Sequence, residues 1–304
     1  MKRRSFLRRA SLGTAALGTM GKSMALGSRE TVHQALPPEP PPGALRIAVI
    51  QQEGNPGKVE ENRSKSLAFA REALDRNADV ILTHEEMLVG YVDNLRDLAE
   101  PVDGHTTKAF QELLQGTDSL VIYGLTEKAG NDYHISAPIV SAGGLVDNYR
   151  KTHLWWNATG LRHEPTFYKP GDRLVTFEIK GIRCGVMICY DGGFPEMTRS
   201  YANLGCSVLF WLNNRRSRGH REVQDLAFRN SMIMPTSCCC GLNEQGLFCE
   251  GGSNITGPRG ELITEIWEEE GIIVADVFPW EVEKIRNENW AYNGLRPDLY
   301  YYPG

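Results

Sequence analysis

The chemistry of this chain is concentrated around one cysteine. The run Gly185-Val186-Met187-Ile188 delivers Cys189 into Tyr190-Asp191-Gly192-Gly193-Phe194-Pro195-Glu196, an apolar strand pattern that breaks into a glycine-rich turn and then a helix start. A thiol at such a corner is held rigidly, and backbone N–H groups at the start of a helix both favour a thiolate and bind a developing oxyanion. Taken alone, Cys189 reads equally well as a small core residue, because cysteine is among the most buried residue types. A thiol nucleophile also needs a base and a positive group. Two other strand ends offer them. Asp79-Val80-Ile81-Leu82-Thr83 runs into His84-Glu85-Glu86, and Asn148-Tyr149-Arg150 runs into Lys151-Thr152-His153. His153 and His163 also permit a Cys-His arrangement, but each lies within two residues of a better-placed group and reads as a structural or lining residue.

The elements that would position these groups alternate. Ala44–Gln51 reads as a first strand, Glu60–Asn77 as an amphipathic helix with Leu67, Ala70 and Leu74 at helical spacing, and Asp79–Thr83 as a short buried strand. Ser119–Gly124 is another strand, and Ile135–Val140 with Gly144–Tyr149 forms a hairpin around Ala142-Gly143. Strands at Arg183–Cys189, Cys206–Leu212 and Pro235–Cys240 alternate with helices at Pro195–Leu204 and Arg221–Met232. Two strands flank the turn at Pro258-Arg259-Gly260, and Gly271–Val277 closes the body. This alternation predicts a layered α/β domain.

Glu85, Lys151 and Cys189 together resemble the Glu-Lys-Cys triad of the nitrilase superfamily of carbon–nitrogen hydrolases. Gly90-Tyr91 stands five residues after Glu85 at the family's spacing, with His84 in place of the usual proline, and this spacing selects Glu85 over Glu86. Tyr149-Arg150-Lys151-Thr152-His153-Leu154 is similar to the family's lysine block, Ile188-Cys189-Tyr190-Asp191 to its cysteine elbow, and Gly251-Gly252-Ser253-Asn254-Ile255 with Pro258-Arg259-Gly260 to a later strand and turn. The resemblance spans Arg46 to Tyr300. It implies a four-layer α-β-β-α sandwich, no cofactor and no metal, and assembly as a homodimer or larger homo-oligomer. It also implies hydrolysis of a small amide or N-carbamoyl compound through a thioester on Cys189. Glu85 would act as base, Lys151 and the Tyr190 N–H would hold the oxyanion, and Glu164 would fill the place of a second glutamate; an exposed loop carboxylate is the other reading of Glu164. A nitrile hydrolase of the same fold, or a catalytically silent binding protein, are the alternatives. Gly192-Gly193 replaces a bulkier pair and is expected to enlarge the pocket; Trp155 and Asn213 complete the candidate substrate contacts. Arg229-Asn230 stands where many members show Glu-Asn.

Beyond the catalytic pattern, residues 1–25 carry Lys2, Arg3, Arg4, Arg8, Arg9 and Lys22 with no acidic residue, ahead of a mildly apolar run. Arg3-Arg4-Ser5-Phe6-Leu7 resembles a twin-arginine export signal, so a periplasmic or otherwise exported location is expected, with membrane contact only during export. Residues 26–43 form a proline-rich linker, and 44–304 the hydrolase domain. Without the leader the chain is strongly acidic, which argues against nucleic acid as a partner. The seven cysteines show no paired C-x-x-C spacing, and Cys238-Cys239-Cys240 reads as part of a buried strand of small residues.

Overall fold

A computed structural model describes residues 38–156, 159–214 and 220–299. The expected leader and most of the linker lie outside them. The strands are β1 (Leu45–Gln51), β2 (Val80–Leu82), β3 (Leu120–Ile122), β4 (Leu125–Ala129), β5 (Asp132–Ser141), β6 (Gly144–Arg150), β7 (Thr176–Ile179), β8 (Ile182–Ile188), β9 (Val208–Asn213), β10 (Met234–Cys238), β11 (Cys240–Leu242), β12 (Phe248–Thr256), β13 (Leu262–Trp267) and β14 (Gly271–Val277). The helices are α1 (Val59–Asp75), α2 (Leu95–Leu98), α3 (His105–Leu113), α4 (Pro195–Asn203), α5 (Arg221–Asn230), α6 (Val282–Glu288) and α7 (Trp290–Asn293).

Every residue of β1, β2, β3 and β9, and the run Cys184–Ile188 of β8, is buried. A strand buried on both faces must have a layer on each side, which explains their unbroken apolar runs. One sheet runs β14-β1-β2-β3-β5-β4 with β6 beside β5; the other runs β11-β12-β10-β9-β8-β7 with β13 beside β12. The sheets meet through β1 against β10 and β12, while α1 and α3 cover the first sheet and α5 the second. The result is a layered α/β domain, with the two sheets packed face to face and helices outside, as the family resemblance implies.

The parallel pairings β1–β2 and β2–β3 in the first sheet, and β8–β9 in the second, align neighbouring carboxyl ends within each sheet. In α/β sheets the ends of such strands are where ligands are bound. β6 pairs antiparallel with β5, and the Lys151 N–H immediately beyond it donates to the Ile135 carbonyl at 2.8 Å, fixing where the hairpin delivers its lysine.

Candidate active site

Lys151 is wholly buried, and its ammonium donates to Glu85 Oε1 at 2.7 Å and to Glu164 Oε1 at 2.8 Å. Glu85, not Glu86, carries this bond, and its carboxylate also faces the Cys189 thiol within hydrogen-bonding range. Its second oxygen, Oε2, accepts from the Asn214 N–H at 2.9 Å. Asn214 directly follows β9, so this bond ties the second sheet to a carboxylate delivered by the first. Glu164 is buried rather than an exposed loop acid. It accepts from Tyr91 Oη at 2.7 Å and from the Trp155 N–H at 2.6 Å. Gly90 adopts a left-handed φ of +66°, open to glycine at little cost, as the chain turns into Tyr91.

The electrostatics follow from burial and pairing. Burial alone would drive the proton off Lys151, but the charges of Glu85 and Glu164 overrule it and hold its pKa well above the ordinary lysine value. Burial raises the pKa of Glu85, with the Lys151 charge opposing the shift. Burial, then the nearby Glu164 charge, raises the Tyr91 phenol well above its usual range. A lysine with three N–H donors that spends two on carboxylates keeps one to offer a ligand.

The cysteine elbow is built as tightly. Cys189 has φ +42°, a left-handed conformation that costs a non-glycine residue and persists only where its surroundings enforce it. Asp191 is the enforcing group. One of its oxygens accepts from the Ile188 N–H at 2.9 Å and from Tyr149 Oη at 2.7 Å. The other accepts from the His153 N–H at 2.9 Å and Thr152 Oγ1 at 3.0 Å, with the His153 ring Nδ1 also at 3.0 Å. Thus the carboxylate two residues after the cysteine grips the segment that carries Lys151. Trp211 Nε1 donates to the Cys189 carbonyl at 3.1 Å, closing the turn from below. His153 therefore serves the elbow, stacking on Phe194 at 3.9 Å between ring centroids.

The remaining candidates are placed differently from one another. Trp155 and Tyr190 meet edge to face at 4.7 Å, and Tyr190 meets Phe194 at 5.3 Å, so half-buried aromatics surround the thiol side of the site. The expectation that Gly192 enlarges the pocket is corrected. Gly192 is buried, and a Cβ there would lie 2.2 Å from Trp211 Cζ2, so the missing side chain makes room for the tryptophan. Gly193 is exposed, and a Cβ there would meet the Tyr190 ring at an ordinary 3.7 Å. Asn213 is buried with its Nδ2 directed at the Trp211 carbonyl at 3.4 Å, so it is the neighbouring Asn214 that reaches the glutamate. Arg229, at the departure on α5, pairs with Asp225 on the exposed face of its own helix at 2.7 Å.

Sequence reasoning missed a supporting ring. Arg162 stacks over the Tyr91 ring at 4.6 Å, donates to the Asn214 carbonyl at 3.1 Å and pairs with Glu244 at 2.6 Å. One arginine thereby holds both the tyrosine on Glu164 and the asparagine on Glu85. The cysteine triplet joins in: β10 stops at Cys238 and β11 starts at Cys240, and between them the buried Cys239 thiol donates to Asn214 Oδ1 at 3.4 Å. Its sulfur neighbours Cys238 and Cys249, and then burial, keep that thiol well above its ordinary pKa, as a donor requires. Among the described residues, no group of three or more His, Cys, Asp or Glu side chains is arranged to hold a metal ion.

This geometry can be set beside known proteins. The sequence profile of the carbon–nitrogen hydrolase family matches residues 46–287. The chain belongs to that family. It is 30% identical to an (R)-stereoselective amidase of a Pseudomonas species over 83% of this chain and 90% of that one. It is 27% identical to a nitrilase of Pyrococcus abyssi over 84% and 99%. A solved carbon–nitrogen hydrolase superfamily protein of Xanthomonas campestris shares the fold, with a TM-score of 0.76 at 19% identity, covering 86% of this chain and 99% of that one. The protein is therefore a carbon–nitrogen hydrolase, and the buried Glu85-Lys151-Glu164 cluster beside Cys189 is its candidate active site.

Proposed function

We propose that the protein hydrolyses a small non-peptide amide, or an N-carbamoyl compound, to an acid and ammonia or an amine through a thioester on Cys189. The observation that carries this reading is Lys151: buried, fixed by two carboxylates, with one N–H left and its charge within electrostatic reach of Cys189. Glu85 takes the Cys189 proton as the sulfur attacks the carbonyl carbon, and the carbonyl π electrons move onto oxygen. Lys151 and the Tyr190 N–H hold that oxyanion. As the C=O re-forms, the C–N bond breaks and the amine leaves with the proton from Glu85. Water then gives a proton to Glu85 and attacks the thioester; the second oxyanion collapses, and the departing thiolate recovers its proton. Asp191 takes no part in these proton transfers and acts as a positioning residue.

A raised Glu85 pKa suits both halves of this cycle, since the same group must accept and return a proton near working pH. The amidase relative supports an amide substrate, while the nitrilase relative keeps a nitrile within the range of the same thiol chemistry. Export by the twin-arginine route rests on the Arg3-Arg4 leader. Self-association is supported by the exposed Trp280, Trp290 and Leu204.

The test is a panel of amides, N-carbamoyl compounds and nitriles with ammonia detection. We expect release from amides that is lost in Cys189→Ala. Release that persists in that variant would contradict the mechanism.

A further inference from the structure

Directly behind Glu85 sits a carboxyl that the hydrolytic cycle does not use. Glu86 is wholly buried and has a left-handed φ of +55°. Thr126 Oγ1, on β4, donates to its Oε2, and Oε1 has no hydrogen-bond partner. Tyr168 faces the same carboxyl without closing an ordinary hydrogen bond, and its own hydroxyl is equally unpartnered. The other charged groups around it are Glu85 on its own segment, Lys151 after β6, and Glu164 on the turn that follows, while the His84 ring, two residues back, turns to the Glu85 carbonyl. Of these only Lys151 is a cation, and both of its carboxylate bonds go elsewhere, to Glu85 and Glu164.

Counting charge shows what this implies. With Glu85 and Glu164 ionised, the single ammonium already leaves the buried cluster one negative charge in excess. Ionising Glu86 would add another with no cation to meet it, in a place where an unpaired charge is costly. A neutral Glu86 removes that charge, whereas an ionised Glu86 would repel both the thiolate and the oxyanion that form in front of it.

We propose that Glu86 is a positioning residue that works as a neutral carboxylic acid, sparing Glu85 and the reacting centre a second uncompensated negative charge, so that its ionisation turns the enzyme down. This rests on the triad reading above. The direction of its proton affinity agrees: burial, offset in part by the Thr126 bond and reinforced by Glu85 and Glu164, pushes its pKa up to about 8. Burial likewise brings the neighbouring His84 down to about 4, with its Glu85 carbonyl bond opposing, so His84 supplies no compensating charge at neutral pH.

The experiment compares kcat/KM at pH 7 and pH 9 on the best amide of the panel, alongside infrared difference spectra of the carboxylic C=O band. Wild type should lose about tenfold between the two pH values, as one ionisation near 8 requires. Glu86→Gln mimics the protonated form and should lose less than about twofold. Thr126→Val removes a donor that favours the ionised form, so its midpoint should move to higher pH. At pH 7 the wild type should show a protonated-acid band that Glu86→Gln lacks. An undiminished alkaline fall in Glu86→Gln, or identical infrared spectra for the two proteins, would overturn the proposal. Should Glu86→Gln not fold, an unmoved midpoint in Thr126→Val overturns it. If no compound is turned over, the infrared comparison still decides on Glu86, so failure of the hydrolase reading and failure of this one are distinguishable.

Discussion

Glu85 and Glu86 are adjacent in the chain and equally buried, yet they face opposite kinds of surroundings. In front, around Glu85, both carboxylate oxygens are bonded, Lys151 is shared with Glu164, and Asp191 locks the elbow with contacts to Ile188, Tyr149, Thr152 and His153. Behind, around Glu86, two polar atoms have no partner: Glu86 Oε1 and Tyr168 Oη. A fully paired cluster holds charges in place, and a poorly paired one can exist only if its groups stay neutral. The site thus keeps its ionic chemistry on one side of a single peptide and its neutral groups on the other.

The sharpest way to break this contrast is at the front. Lys151→Ala leaves two buried carboxylates without their shared ammonium and removes the proposed oxyanion donor. It should cut kcat/KM by about 10³-fold and cost about 3–5 kcal/mol of stability in denaturant unfolding. Retention of more than a tenth of the activity would show that the ammonium does not hold the oxyanion. Next comes Asp191→Asn, whose amide nitrogen cannot accept from the donors its lost oxygen served. A displaced elbow should cost about 10–100-fold in kcat with KM little changed, and an effect confined to KM would count against a positioning role. The smallest effects should separate two tyrosines. Tyr91→Phe removes a bond to a charged carboxylate and should cost about 1.5–3 kcal/mol, while Tyr168→Phe removes an unpartnered hydroxyl and should change stability by less than about 1 kcal/mol. Equal costs from the two would erase the distinction between front and back.

Much of the front was legible because Glu85 and Cys189 follow the buried apolar runs of β2 and β8, while Lys151 follows β6, a mixed strand marked by its hairpin turn at Ala142-Gly143. The period of buried side chains marks such strands locally. Hidden from the sequence were the groups that act across long separations. Arg162 reaches Glu244, Asn214 reaches Glu85, and Trp211 fills the space left by Gly192, and no local pattern encodes such meetings. Nor did β4, β7 and α3 stand out, since Thr126-Glu127-Lys128, Thr176-Phe177-Glu178-Ile179 and His105-Thr106-Thr107-Lys108 mix polar and apolar residues over too short a run. Cys238-Cys239-Cys240 read as one strand, but the run breaks at Cys239, whose thiol turns to Asn214 instead of continuing the ladder. The sequence pattern thus marks the proposed reactive groups better than the residues that hold them.

The central claim is that Cys189 carries the acyl group. It is tested most directly by quenching the enzyme in acid during turnover of the best amide and mapping the acyl mass by peptide mass spectrometry. An adduct is expected on the peptide containing Cys189, absent from Cys189→Ala and absent from the peptides of the other six cysteines. Turnover with the acyl mass on a different residue, or undiminished turnover in Cys189→Ala, would contradict it.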